Sequence, residues 1–259
     1  MDIVVSSPGS PGTSFTDNVK AQILLLYDEL CSHDDFESLA DFKNHLQKCG
    51  INKSYIRNIL PFLQFCGIVK YENVSPFINT NFFTNIGKAY IDVLKSIQIA
   101  KAEPDCSEKT DILNSLEKIQ EIIYFQCLVV MMKSQECNYS KDFYDVLSFM
   151  KKFDSIDSTE YLLIQYEREQ SPKDMLNRLG AYLDQYRDGS LSINVKTKTK
   201  NASDGDARSV NSFPYVSGNF SKAGVAYKKD GRFYLTKERR SEIECALREV
   251  DYICQNSVK

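Results

Sequence analysis

Histidine is scarce in this chain, and its eight cysteines include no Cys-x-x-Cys pair. The two histidines, His33 and His45, are too few and too far from any cysteine pair to favour a zinc site. We expect His33 to cap the end of a helix and His45 to lie on an exposed helix face. The scattered cysteines indicate free buried thiols in a reducing cytoplasm rather than disulfides. Neither a bound metal nor another cofactor is therefore expected.

Long apolar runs are missing as well. The longest, residues 122–132, is interrupted by Gln126 and is too short to span a bilayer. The N-terminus has no basic region before an apolar one, so we expect no secretory signal. These absences favour a cytoplasmic protein that does not contact a membrane.

Catalytic motifs are also absent: the chain has no P-loop, no Gly-x-Gly-x-x-Gly and no Gly-x-Ser-x-Gly. A restriction-type nuclease needs clustered carboxylates for Mg²⁺ and a nearby lysine. Asp105, Glu108 and Lys109 approach this pattern but lie too close together, in a linker. The three glutamates of residues 160–169 share a predicted helix with Arg168 and indicate a solvated face. We therefore expect no enzyme activity; the enzyme alternative is a restriction-type nuclease component.

Charge is unevenly distributed along the chain. Residues 190–240 contain seven lysines and four arginines against four carboxylates, a net charge of +7. Because the whole chain carries −3, the remainder carries −10. Such asymmetry is typical of an electrostatic binding surface for a polyanion.

One pattern occurs twice, at residues 58–88 and again at residues 211–240. Each copy has an apolar helical segment, a glycine stop, a short apolar strand, a polar turn and a second strand. The glycine stops are Gly67 and Gly224, and the second strands end at Thr84 and Thr236, which we expect to open a helix. This order of elements predicts a winged helix-turn-helix, present twice.

The predicted fold is mainly α with small β-wings (α+β), with two winged-helix modules bracketing a helical middle region. Residues 1–14 are expected to form a disordered tail, residues 15–101 the N-terminal module, and residues 108–259 the helical region with the C-terminal module. Thr16 or Asp17 begins the first predicted helix, and Gly50 ends the second. Residues 191–199 alternate between apolar and polar, which favours a half-exposed strand or an extended basic arm.

These features resemble the winged-helix superfamily, and in particular the tandem winged-helix target-recognition regions of some restriction endonucleases and related defence proteins. The resemblance depends on a strand-to-helix junction, Phe233-Tyr-Leu-Thr236 in the second copy and, less cleanly, Phe82-Phe-Thr84 in the first. It covers residues 17–100 and 205–255. It implies sequence-dependent binding of double-stranded DNA, either as the recognition component of a restriction or phage-defence system or as a transcription regulator.

The candidate DNA contacts lie on the predicted recognition helices and around a hairpin turn. Asn and Arg have bidentate geometry toward adenine and guanine edges, whereas Lys, Ser and Tyr commonly reach phosphates. The Asp-Gly step at the turn is a strong hairpin signal, which places lysines at the tip of a wing. The candidates are Asn52, Lys53, Ser54, Tyr55, Arg57 and Asn58 in the first module, and Arg208, Asn211, Ser212, Lys222, Lys228, Lys229 and Arg232 in the second.

The alternative is an adaptor whose winged helices bind a partner protein or form a homodimer, without nucleic acid. The acidic remainder of the chain favours this alternative for the first module. The DNA hypothesis requires the lysine-tipped turn to project its cations into solvent. Acidic side chains facing that turn would contradict it.

Overall fold

The chain is mainly α-helical, with a small three-stranded antiparallel sheet. The computed structural model describes residues 1–6, 13–33, 35–72, 77–78, 82–198 and 212–256. Its helices are α1 (Asp17–Ser32), α2 (Leu39–Lys48), α3 (Lys53–Phe65), α4 (Asn85–Ala102), α5 (Lys109–Lys133), α6 (Ser140–Phe153), α7 (Ser158–Gln170), α8 (Met175–Gly180), α9 (Leu183–Arg187), α10 (Phe213–Lys222) and α11 (Arg240–Asn256). Its strands are β1 (Asp2–Ser6), β2 (Asp35–Phe36), β3 (Phe77–Ile78), β4 (Ser155–Ile156), β5 (Asn194–Lys198), β6 (Ala226–Lys229) and β7 (Arg232–Leu235).

The chain divides into two compact units. The N-terminal unit comprises Pro11–Cys137 and Gly218–Val225. The C-terminal unit comprises Met1–Ser10, Asn138–Ser217 and Ala226–Lys259. The sequence predicted a boundary at residues 102–107, but α4 and α5 both belong to the N-terminal unit, so that prediction is wrong. The polar segment between them is a turn between two packed helices rather than a linker between units.

Side-chain caps begin the first helices of the N-terminal unit. Thr16 accepts a hydrogen bond from the Val19 amide at 3.3 Å, and Ser38 accepts one from Asp41 at 3.1 Å. Thr84 accepts from the Gly87 amide at 3.1 Å and begins α4, as the sequence predicted. Its hydroxyl also donates to the Gly67 carbonyl at 2.5 Å, which joins the end of α3 to the start of α4.

Aromatic side chains form the centre of the N-terminal unit. The Phe15 ring stacks on Tyr124 at 4.0 Å between centroids and meets the edge of Phe62 at 5.6 Å. All three are fully buried. The strands are short: β2 pairs antiparallel with β3, and Val69 forms an isolated bridge to Phe83. The unit therefore runs helix, strand, helix, helix and then paired extended segments.

The C-terminal unit contains the three-stranded sheet, in the order β4–β7–β6. Strands β6 and β7 form a hairpin closed by Asp230 and Gly231, with φ values of +48° and +81°. Positive φ at both central positions is the mark of a type I′ turn, so the predicted Asp-Gly hairpin is confirmed. Thr236, unlike Thr84, makes no side-chain cap, and a 3₁₀ turn at Lys237–Arg239 precedes α11.

The first residues of the chain form a strand, so the predicted disordered tail is wrong for Asp2–Ser6. This strand, β1, pairs in parallel with β5, from Asp2 opposite Asn194 to Ser6 opposite Lys198. Ile3 and Val5 are buried, because alternate residues of a strand face the same side. The strand predicted within residues 191–199 is confirmed as β5.

Buried ion pairs, rather than a solvated face, surround the glutamates of α7, so that sequence interpretation was wrong for Glu160 and Glu167. Glu160 is fully buried and is bound by Arg187 at 2.7 Å and by Arg232 at 2.6 Å. Glu160 also closes a capping box with Asp157, the N-cap of α7. These bonds join α7 to α9 and to the sheet.

Arg187→Met should lower the free energy of unfolding by about 3 kcal/mol, because it leaves the buried Glu160 carboxylate with one guanidinium fewer. Urea denaturation followed by circular dichroism measures the loss. The matched control is Arg240→Met, which removes one partner of an exposed pair, 3.9 Å from Glu244. That change should cost less than about 1 kcal/mol. Equal losses in the two variants would contradict a stabilising role for the buried pair.

Candidate nucleic-acid interface

Helices α2 and α3 are joined by a four-residue turn, residues 49–52. Gly50 in this turn has φ +94°, a conformation that side-chain-bearing residues rarely adopt. Two helices joined by a three- or four-residue turn containing glycine are typical of a helix-turn-helix. The N-terminal end of α3 is therefore held beside the exposed face of α2.

A groove of about 750 Å³ lies between α2 and α3. Its lining combines three cationic side chains, three amides and three apolar side chains, and most of the lining surface is apolar. Among the described residues that line it, none has a carboxylate. These residues are Lys43, Lys53, Arg57, Asn44, Gln47, Asn52, Ala40, Ile56 and Pro61.

The helical period of α3 separates its core face from its groove face. Ile59 and Leu60 are buried, whereas Lys53 and Arg57 are exposed one turn apart on the same side. The positive end of the helix dipole lies at Lys53 and adds to the attraction for anions.

Of the six predicted contacts in the first module, Asn52, Lys53, Arg57 and Asn58 are exposed. The first three line the groove. Ser54 and Tyr55 belong to α3, but the structure does not describe their side chains.

The β6–β7 hairpin presents its two lysines to solvent. Lys228 and Lys229 are exposed, and neither forms an ion pair with any residue that the structure describes. Tyr227, 46% exposed, stacks on Tyr234 at 5.7 Å between centroids. The hairpin therefore offers two cations and an aromatic surface.

Arg232 was predicted as a DNA contact, and the structure contradicts this. Its guanidinium is bound by Asp157 at 2.7 Å and Glu160 at 2.6 Å, and its Nε donates to the Ser155 hydroxyl at 3.2 Å. Because β7 is the middle strand, its first residue lies over β4 and the start of α7 rather than in solvent. Acidic side chains thus face Arg232, and of the predicted hairpin contacts only Lys228 and Lys229 are exposed.

The remaining predicted contacts of the second module are dispersed. Ser212 is fully buried, its hydroxyl 3.1 Å from that of Tyr161, so its prediction as a DNA contact is wrong. Arg208 and Asn211 lie outside the described residues. Lys222 is exposed and belongs to the N-terminal unit, in a cleft that it shares with Lys20, Lys101 and several carboxylates.

Neither the carboxylate cluster at residues 105–109 nor the one between α6 and α7 fits a nuclease centre. Lys109 of the linker candidate pairs with Asp105 at 3.0 Å and donates to the Glu103 carbonyl at 2.6 Å, so it closes the end of α4. Asp105 is fully exposed. The Lys109 contacts link the end of α4 to the start of α5, and the carboxylates of this segment remain dispersed.

Sequence reasoning missed the second cluster, between α6 and α7. Arg168 binds Asp142 at 2.7 Å and Asp145 at 2.8 Å, and Gln165 donates to Asp142 at 3.0 Å. Burial raises the pKa of Asp145 to about 6, and the Arg168 charge opposes the rise. Because the guanidinium occupies both carboxylates, the cluster is a link between two helices. The spacing Asp-x-x-Asp on α6 and Gln-x-x-Arg on α7 was its only sequence signal.

Of the two histidines, only His45 lies elsewhere than expected. His45, predicted on an exposed face, is three-quarters buried and 2.8 Å from a Glu29 carboxylate oxygen. His33 caps the end of α1, as predicted, and its ring lies 4.4 Å from that of His45. Sequence distance hid this pairing, since twelve residues separate them.

Comparison of the chain with protein-family models, curated proteins and solved structures found no match. Among the described helices, none combines the length and apolarity needed to cross a membrane. Function must therefore be inferred from the geometry and chemistry of this chain.

Asp145→Asn should change how stability depends on pH. The folded pKa of about 6 lies above the unfolded value of about 3.9, so the folded state binds more protons between the two. The contribution of Asp145 to the free energy of unfolding is fully present below the pKa of the unfolded state. It is lost as the pH rises through the pKa of the folded state. The urea concentration at the unfolding midpoint of the variant should therefore rise relative to that of wild type as the pH increases from 4.5 to 7.

The exposed Asp92→Asn is the matched control, since it removes a carboxylate that remains in water. Its midpoint difference from wild type should stay constant over the same range. A constant difference for Asp145→Asn as well would show that this carboxyl does not titrate in the folded protein as inferred.

Proposed function

We propose that this protein binds double-stranded DNA, with the N-terminal half of α3 in the major groove. The observation that carries the proposal is the groove between α2 and α3, lined by Lys43, Lys53, Arg57 and three amides. In a helix-turn-helix, the early residues of the second helix meet base edges. Arg57 and Asn52 have the side chains suited to guanine and adenine edges, and the lysines suit phosphates.

The proposal includes a finer fold assignment, two winged-helix modules. In the N-terminal unit it is supported by the order α1, β2, α2, α3 followed by the extended segments that pair through Val69, Phe83 and β3. In the second module the order is α6, β4, α7, α10, β6 and β7, and the first strand pairs with the last. Helices α8 and α9 and strand β5 would then be an insertion between the second and third helices.

The hairpin would serve as the wing of the second module, with Lys228 and Lys229 on phosphates. Its exposed turn supports this, as do its two lysines, which form no ion pair with any described residue; Lys228 lies over the Phe233 ring at 5.9 Å, and Arg232 is excluded as a contact. The wider role follows from the resemblance to recognition regions of restriction and defence systems. We propose such a recognition component, with a transcription regulator as the other role for the same activity.

Reversing charge in the groove should abolish specific binding. Lys53→Glu with Arg57→Glu should lower affinity about 100-fold, because phosphate neutralisation and a base contact are both lost. The target is first selected from a random duplex pool, and affinity is measured by fluorescence anisotropy over a range of salt. The matched control, Lys88→Glu with Lys118→Glu, makes the same charge change at exposed positions of α4 and α5. An equal loss of affinity in the control would show that the effect depends only on the net charge of the protein.

Reversing charge in the hairpin tests the wing separately. Lys228→Glu with Lys229→Glu should weaken binding to all duplexes alike and reduce the salt slope by about 2, since each phosphate contact contributes about 0.9. Arg232→Glu is unsuitable as a binding test, because it would place a carboxylate against Asp157 and Glu160. An unchanged slope would remove the hairpin from the interface.

A protein-binding adaptor is the second candidate, and exposed apolar side chains favour it. Ile112, Ile119, Ile122 and Val130 of α5 are between 39% and 50% exposed. Binding that is insensitive to salt and to both sets of charge reversals would support the adaptor, with a partner protein or a second copy of the chain as ligand.

Incubation with plasmid and Mg²⁺ tests for nuclease activity.

A further inference from the structure

Four side chains of metal-ligand type converge at the ends of two helices of the N-terminal unit. Glu29 and His33 lie four residues apart at the end of α1, and His45 and Cys49 lie four residues apart at the end of α2. Residues four apart share one helix face, so each helix presents a pair. The ligand atoms of Glu29, His33 and His45 all lie within 4.8 Å of one another.

The distances approach those of a tetrahedral site. The His45 Nε2 atom is 2.8 Å from Glu29 Oε2 and 3.4 Å from Cys49 Sγ. In tetrahedral zinc, ligand atoms lie roughly 3.3 to 3.6 Å apart, given bonds of about 2.0 Å to nitrogen and 2.3 Å to sulfur. The His45–Cys49 separation already fits, and the His45–Glu29 separation needs to open by roughly 0.5 Å.

The orientation of His33 also suits a ligand. Its Nδ1 lies 3.0 Å from the Glu29 carbonyl oxygen and 3.4 Å from the Ser32 hydroxyl, and the tautomer with the proton on Nδ1 donates to that carbonyl. The lone pair then lies on Nε2, the tautomer that second-shell carbonyls impose on metal-binding histidines. The Phe36 ring lies 5.7 Å from His33 and 5.3 Å from His45 and holds both imidazoles.

The electrostatics favour a cation. Both ligand pairs lie at helix C-termini, where the dipoles are negative. The Glu29 and His45 side chains are 23% and 25% exposed, so an ion can reach them from solvent. The hydrogen bond between Glu29 and His45 accounts for one contact, and the capping positions of His33 and Cys49 bring their side chains beside it.

We propose that Glu29, His33, His45 and Cys49 bind one transition-metal ion, with Zn²⁺ the best match to two imidazoles, a carboxylate and a thiolate. The ion replaces the proton of the Cys49 thiol and joins the end of α1 to the end of α2. A Cys-x-x-Cys pair is not required, because two helices each contribute two ligands. The site is independent of the DNA proposal.

The first experiment measures metal affinity on tag-free, metal-free protein, because a histidine tag would itself bind zinc. Competition with a chromophoric chelator should give one Zn²⁺ per chain, bound about 100-fold more weakly by His45→Gln and by Cys49→Ser. Cys106→Ser, which changes an exposed cysteine outside the site, should bind as wild type does. Equal weakening by Cys106→Ser would overturn the site.

Cobalt and NMR measurements keep the proposal testable if a variant unfolds. Wild-type protein with one equivalent of Co²⁺ should show thiolate charge-transfer absorption, lost in Cys49→Ser and kept in Cys106→Ser. The chain has two histidines, so imidazole ¹H–¹⁵N spectra contain two spin systems. Both should shift with one equivalent of Zn²⁺; unchanged spectra would refute the site, whatever the outcome for DNA.

Discussion

The fully buried carboxylate of Glu160 constrains the C-terminal unit. Glu160 has no exposure to solvent, and a charge in that position is tolerable only if cations surround it. Arg187 and Arg232 supply them, and Arg187 also donates to the carbonyls of Phe153 and Ser155. Helix α9, the β7 strand and the start of α7 must therefore be in place together. The central strand is fixed by electrostatics as well as by its ladder, so the hairpin projects from a rigid base.

Local signals in the sequence predicted the elements that depend on nearest neighbours. Thr16 and Thr84 cap helices because a hydroxyl needs only the amide three residues on. The Asp230-Gly231 turn needs only two residues that tolerate positive φ. These features are set within a few residues, and the sequence shows them directly.

Long-range pairing could not be predicted in the same way. Arg187 follows Glu160 by 27 residues and Arg232 follows it by 72, so the α7 acids look like a solvated face when read alone. The same limit applies to Arg232 as a DNA contact and to the histidine pair. One side of the groove could be predicted, because Lys53 and Arg57 are four residues apart on a predicted helix. The side formed by α2 could not be predicted. Lys43, Asn44 and Gln47 gain meaning only beside α3.

The pairing of β1 with β5 has a consequence for synthesis of the protein. Strand β1 leaves the ribosome well before its partner, because β5 is encoded about 190 residues later. The N-terminal unit also waits, because it includes Gly218–Val225. At translation rates of about 5 to 20 residues per second, roughly 10 to 40 s pass between the synthesis of β1 and that of β5. During that interval Ile3 and Val5 are on a nascent chain that has not yet buried them, and chaperones that bind extended apolar segments can reach them.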